Sequence, residues 1–215
     1  MEQPTKLSKL DPDAISHAAS LSIYNILVNP NIEDPDKIVL IDKVDEATLL
    51  FYRKGVQSEW STQGDVYAPK YSTGWVVKEY HSLPDLEEQV QYLKANETNV
   101  PKIYLVDRGK PRVWMQNVSD AGYIPVRQWY KQYGKHMNKK ELKRRFTQQM
   151  LLMEPKTTNL YVLPDFSNDK NVYVRPEPFD IIFLEGGKPT NSKPLSDVWD
   201  TLWKEMRSKP YKDMY

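Results

Sequence analysis

The chain has 215 residues, enough for one substantial core or two small ones, with 40% hydrophobic and 12% aromatic residues and a mean hydropathy of −0.69. Cysteine is absent, which excludes disulfides, thiolate metal sites and cysteine nucleophiles. The 30 Lys and Arg nearly balance 29 Asp and Glu, yet twelve of the basic residues fall between Lys102 and Arg145 against Asp107, Asp120 and Glu141, so that this segment is +9 and the remainder −8.

Residues 1–10 are expected to form a tail. They lack the apolar core of a secretory signal, so a cytoplasmic or otherwise intracellular location is expected. The longest apolar runs, Ile38 to Ile41 and Met150 to Met153, are far too short for a membrane span. Asp11-Pro12 pairs an N-cap residue with proline at the first helical position, and Ala14, Ile15, Ala18, Leu21, Ile23, Tyr24 and Leu27 follow at helical spacing until Asn29-Pro30-Asn31. Asp34-Pro35 offers a second helix start. Ile38 to Ile41 fits either a buried strand or a helix, and Asp45 to Lys54 is expected to be helical up to Gly55. The polar stretch from Val56 to Ser72 predicts a loop or an irregular hairpin.

The pattern then sharpens. Trp75 to Tyr80 predicts a strand, and Ser82-Leu83-Pro84-Asp85 opens a helix with Leu86, Val90 and Leu93 inward. Lys102 to Val106 and Arg112 to Met115 form the arms of a hairpin turning at Asp107-Arg108-Gly109-Lys110-Pro111. Val126 to Met153 is helical, broken by Gly134. Beyond Pro155, strands are expected at Leu160 to Leu163, Val172 to Val174 and Phe179 to Leu184, and Ser196-Asp197 caps a last helix carrying Val198, Trp199, Leu202, Trp203 and Met206. The expectation is an α+β fold with a small mixed or antiparallel sheet and several amphipathic helices. Residues 11–207 would form a single domain with a basic helical segment at 126–153, and residues 208–215 a second tail.

Within the basic segment, Asn138 followed three residues on by Glu141 suggests a capping-box start, with Leu142, Phe146, Met150 and Met153 as an apolar stripe. Lys139 and Lys140 then sit in a first turn where the helix dipole disfavours cations. Helix stability does not account for them, whereas a bound phosphate would. Upstream, Val126, Trp129, Tyr130 and Tyr133 share a helical face, and the pair of helices has a helix-turn-helix outline. Core packing is the expectation for these aromatics, over base stacking. The leading expectation is a non-enzymatic protein that binds DNA or RNA through phosphates. Lys139, Lys140, Lys143, Arg144 and Arg145 would carry it, and Arg108, Lys110, Arg112, Lys131 and Lys135 would assist.

Two alternatives remain. The segment could dock an acidic protein surface, with Glu33 to Glu46 on a second copy as a candidate and a homo-oligomer as the product. Alternatively, Asp165, Glu177, Asp180, Glu185 and Lys188 could form a metal-dependent nuclease site, although Asp180 and Glu185 would lie on opposite faces of a strand and roughly 16 Å apart. His17, His81 and His136 are scattered without metal-ligand spacing, and neither a phosphate-cradling Gly-rich loop nor a Gly-x-Ser-x-Gly elbow is present. No catalytic residue, metal or cofactor is expected.

Overall fold

The computed structural model describes residues 11–48, 52–54, 64–69, 73–96, 98–151, 171–184 and 195–207. Among them lie six α-helices and eight strands in two antiparallel sheets, the expected α+β class. The chain divides into two compact units, residues 1–86 with 103–117, and residues 87–102 with 118–215.

The first unit opens with α1 (Pro12–Val28), where Asp11 Oδ1 accepts the Asp13 N–H at 3.0 Å, as the Asp-Pro start predicts. After Asn29 the chain reverses into α2 (Asp34–Thr48). Ile38 to Ile41 is therefore helical, because Ile38, Ile41 and Val44 at three-residue spacing share the face that meets the core. Of the helix expected from Asp45 to Lys54, the residues to Thr48 belong to α2, whereas Tyr52–Lys54 form β1, which pairs with β2 (Gly64–Pro69). Strand β2 lies inside the stretch expected to be a loop or an irregular hairpin. It can pair closely with β3 (Trp75–Tyr80) because Gly64 has no side chain: a Cβ there would stand 2.0 Å from the Glu79 carbonyl oxygen.

The strands β4 (Ile103–Asp107) and β5 (Arg112–Gln116) form the expected hairpin. The sheet order is β2-β3-β5-β4, extended by the short β1 beside β2, with every pair antiparallel. Ile23, Leu27, Ile41, Trp75, Val77, Leu105 and Trp114 form the buried core between the helices and the sheet. The indole N–H of Trp75 donates to the Ser20 carbonyl at 3.0 Å, which satisfies the polar end of a fully buried ring.

Helix α3 (Leu83–Ala95) starts in the first unit and ends in the second. Ser82 caps it, its Oγ accepting the Asp85 N–H at 3.3 Å and donating to Asp85 Oδ2 at 2.6 Å. The second unit continues with β6 (Ile124–Pro125), α4 (Val126–Gln132), a single 3-10 turn at Gly134–His136, α5 (Lys139–Leu151), β7 (Val172–Arg175), β8 (Asp180–Phe183) and α6 (Leu195–Arg207). The last helix begins one residue before the Ser196-Asp197 pair expected to cap it. Its three strands are ordered β6-β7-β8. Asn99, almost fully buried, ties this unit together: its carbonyl accepts the Phe183 N–H at 2.9 Å, and its amide donates to the Ile181 carbonyl at 2.9 Å and to Gln149 Oε1 at 3.3 Å. The strand expected at Leu160 to Leu163, the stripe residue Met153, and both expected tails lie outside the described residues.

Candidate nucleic-acid interface

The basic segment falls into two parts, because its hairpin belongs to the first unit and its helices to the second. At the hairpin, Asp107 and Arg112 are direct cross-strand partners. Asp107 Oδ1 accepts the N–H groups of Gly109 at 2.8 Å and Lys110 at 3.2 Å, which shapes the turn, while Oδ2 accepts Arg112 Nε at 2.9 Å. The Arg112 guanidinium also donates to Asp42 on α2 and lies 4.6 Å over the Trp114 ring. Only 5% of Arg112 is exposed.

Arg112 is thus a correction to its expected place among the phosphate contacts, since two carboxylates and an indole already occupy its charge. Its own burial would lower its pKa, but the hydrogen bonds from it to Asp42 and Asp107 prevail and raise it. Lys110 is exposed yet paired with Asp42 at 2.9 Å, and Arg108 is exposed on the turn. Within the acidic stretch, Asp42 is spent on Lys110 and Arg112, Asp45 lies 4.0 Å from Arg112, and Asp34 lies 3.6 Å from Lys37.

In the second unit an aromatic cluster builds the platform under the remaining cations. Trp129 of α4 packs edge-on against Phe146 of α5 at 5.7 Å, and both meet Phe179 at about the same spacing. Phe146 meets Trp199 of α6, which stacks on Trp203, and Trp203 in turn meets Tyr130 edge-on. With Leu142 and Phe146 fully buried, α5 turns Lys139, Lys140, Lys143 and Arg144 outward. Trp129 is core, as expected for the aromatics of α4, whereas Tyr130 is half-buried and Tyr133 is exposed.

The start of α5 departs from a capping box. Asn138 does cap, its Oδ1 accepting the Lys140 N–H at 2.8 Å. Glu141, however, reaches forward along the helix to Arg144 Nε at 2.8 Å, Arg144 Nη2 at 2.7 Å and Arg145 Nε at 2.9 Å. Those hydrogen bonds, from Arg144 first and Arg145 second, hold the Glu141 carboxyl down at about 2. Arg145 also lies 5.5 Å over Phe179. The i,i+3 and i,i+4 spacing of an acid and two arginines was the sequence signal for this clamp.

Lys139 sits 5.2 Å over the Trp203 ring, a ring it shares with Arg207 at 5.3 Å. A cation–π contact of this kind holds the ammonium without cancelling its charge. Lys131, Lys135, Lys140 and Lys143 are exposed and pair with no acid among the described residues. From residue 121 to 149, eight Lys and Arg stand against Glu141 alone.

The acidic cluster proposed as a metal site is only partly described, because Asp165, Glu185 and Lys188 lie outside the described residues. Asp180 is engaged: Oδ2 accepts the Tyr123 hydroxyl and Arg175 Nη2 at 3.3 Å, and Oδ1 accepts the Ile181 N–H at 2.9 Å. Burial and this bond to Asp180 push the Tyr123 hydroxyl well above its ordinary pKa. Among the described residues no group of three or more His, Asp and Glu could hold a metal, and no helix is long and apolar enough to cross a membrane. No family model matches the chain, and a search of curated proteins finds no relative.

Proposed function

We propose that the second unit binds nucleic acid, chiefly through phosphates, along the surface formed by α4, the 3-10 turn and the first half of α5. The observation that carries this reading is the set of exposed cations without acidic partners among the described residues, Lys131, Lys135, Lys140 and Lys143, joined by Lys139. Lys139 and Lys140 stand in the first turn of α5, the end of a helix that favours anions. Holding cations there costs helix stability, and a phosphate bound between them and the helix start would repay it. Arg144 and Arg145 contribute less than their number suggests, because Glu141 already holds both.

Phosphate contacts release counterions, so affinity should fall steeply with salt and depend little on base sequence. Replacing Lys140 and Lys143 with Ala removes two contacts. At about 0.1 M salt, with a slope of about 0.9 per contact, the expected loss is roughly 60-fold and the salt slope should flatten by about 2. Anisotropy titrations of a labelled duplex across salt concentrations measure both, and an unchanged affinity and slope would refute the proposal.

A further inference from the structure

Tyr133 is the one aromatic among the large apolar side chains that are exposed in the described residues, at 48%. The others, Leu21, Val28, Val39, Leu40 and Leu83, are aliphatic. An aromatic side chain with about half of its surface open to solvent can still take a ligand, so its surroundings matter. Its backbone is held firmly: the Tyr133 N–H donates to the Trp129 carbonyl at 2.8 Å, and the next residue, Gly134, is buried against the aromatic platform. A Cβ on Gly134 would stand 2.7 Å from Tyr130 Cδ2 and 2.9 Å from Trp129 Cζ3. The chain is therefore pressed onto the buried Trp129 and the half-buried Tyr130, while the next aromatic, Tyr133, is exposed. Only glycine allows that approach.

In sequence the same turn is flanked by cations. From residue 121 to 140 there is no acid, while Arg127, Lys131, Lys135, Lys139 and Lys140 all fall within it. Lys131, Lys135, Lys139 and Lys140 are exposed. An exposed aromatic side chain on an anchored backbone, with such cations beside it in sequence, matches a ligand with a flat ring and an anionic link at every step.

We infer that Tyr133 is a stacking platform for an unpaired nucleobase, so that the ligand of this surface is single-stranded nucleic acid. The inference rests on the phosphate-contact reading above and narrows it. Cations alone serve duplex and single strand alike, but a duplex covers the faces of its bases, and only an unpaired base can lie on the ring. Tyr133→Ala should therefore act on one kind of strand alone, while loss of the lysines acts on both.

The test uses the full chain with labelled oligothymidylate and oligouridylate of about 12 nucleotides and a duplex of similar length. Tyr133→Ala should weaken single-strand binding about 10-fold, change duplex binding less than about 2-fold and leave the salt slope unaltered. Tyr133→Phe, which keeps the ring, should bind as the unaltered protein does and controls for folding. Equal losses on both strands, or no loss on either, overturn the platform, and if Lys140→Ala/Lys143→Ala still weakens binding the phosphate reading survives that result. Failure of the unaltered chain to bind any strand overturns both. A polyglutamate peptide that binds as tightly as the oligonucleotides and is equally weakened by Tyr133→Ala would assign the ring to a protein partner instead.

Discussion

Glu141→Gln should strengthen nucleic-acid binding. The carboxylate of Glu141 takes up three charge-assisted hydrogen bonds from Arg144 and Arg145, at 2.7–2.9 Å. Its replacement leaves eight cations and no acid between residues 121 and 149. Each guanidinium that then reaches a phosphate adds about 0.9 to the salt slope, or about 8-fold in affinity at 0.1 M salt, and two would add about 60-fold. Arg144 is 57% exposed along its side chain and loses its charged partner, keeping the neutral Gln148 Oε1 at 3.0 Å, whereas Arg145 is 35% exposed and remains over Phe179. The gain should therefore lie nearer 8-fold, with the slope steeper by about 1.

Acidification does not substitute for the mutation. A depressed carboxylate stays charged until the pH falls through its lowered value, here about 2, so the clamp persists at pH 4 to 5, where an ordinary carboxyl would titrate. Anisotropy titrations at several KCl concentrations read affinity and slope together, and far-UV circular dichroism checks that α5 persists. A variant with intact helix but unchanged affinity and slope would refute the premise that these arginines face the ligand.

Other consequences concern the supports. Asp42→Asn should destabilise the first unit by about 1.5 kcal/mol at neutral pH, since it removes a carboxylate that accepts from both Lys110 and Arg112. Burial works to raise the Asp42 pKa, but the hydrogen bonds from Lys110 and Arg112 lower it below the ordinary 3.8. The stabilisation is thus complete above the ordinary value and lost as pH falls through the lower one, so urea midpoints of variant and unaltered chain should stay apart to about pH 4 and converge below it. A gap closing between pH 7 and 5 would contradict this. Gly134→Ala should cost about 1–3 kcal/mol through overlap with Trp129 and Tyr130, seen in urea unfolding and near-UV circular dichroism. Unaltered stability would show that the turn is not seated on those rings.

Local chemistry made much of this legible. Asp11-Pro12 and Asn29-Pro30 bracket α1 because a side-chain cap and the proline restrictions act within a few residues. The same holds for Ser82 and Asp85 at α3 and for Asn138 at α5. Strand β2 fell in a stretch left open between a loop and an irregular hairpin, because what permits it, the close approach of Gly64 to Glu79, depends on a strand fifteen residues away. Arg112 was half legible. The hairpin register places it opposite Asp107, but its second partner, Asp42, lies 70 residues off on α2 and no local pattern announces it. The division of the basic segment between two units was equally invisible, since it depends on which contacts the segments 87–102 and 103–117 make.

That division changes the meaning of the charge asymmetry. By sequence the first unit holds eleven basic and fourteen acidic side chains, and the second nineteen and fifteen. Within the first, Arg112 and Lys110 are matched by Asp107 and Asp42, so the hairpin's cations act largely inside their own unit. Within the second, Glu141 alone opposes eight cations over residues 121–149, and the aromatic cluster beneath prevents the helices from turning those side chains inward. A fully packed apolar face fixes which way a helix points, and here it leaves α5 no alternative to presenting Lys140 and Lys143 to solvent. The same packing that excludes Trp129 and Phe146 from any stacking role sets Tyr133 outside the core, beside those lysines in sequence and without a competing acid before Glu141. Charge and ring are thus exposed for one physical reason, the seating of Gly134 and α5 on a common aromatic base.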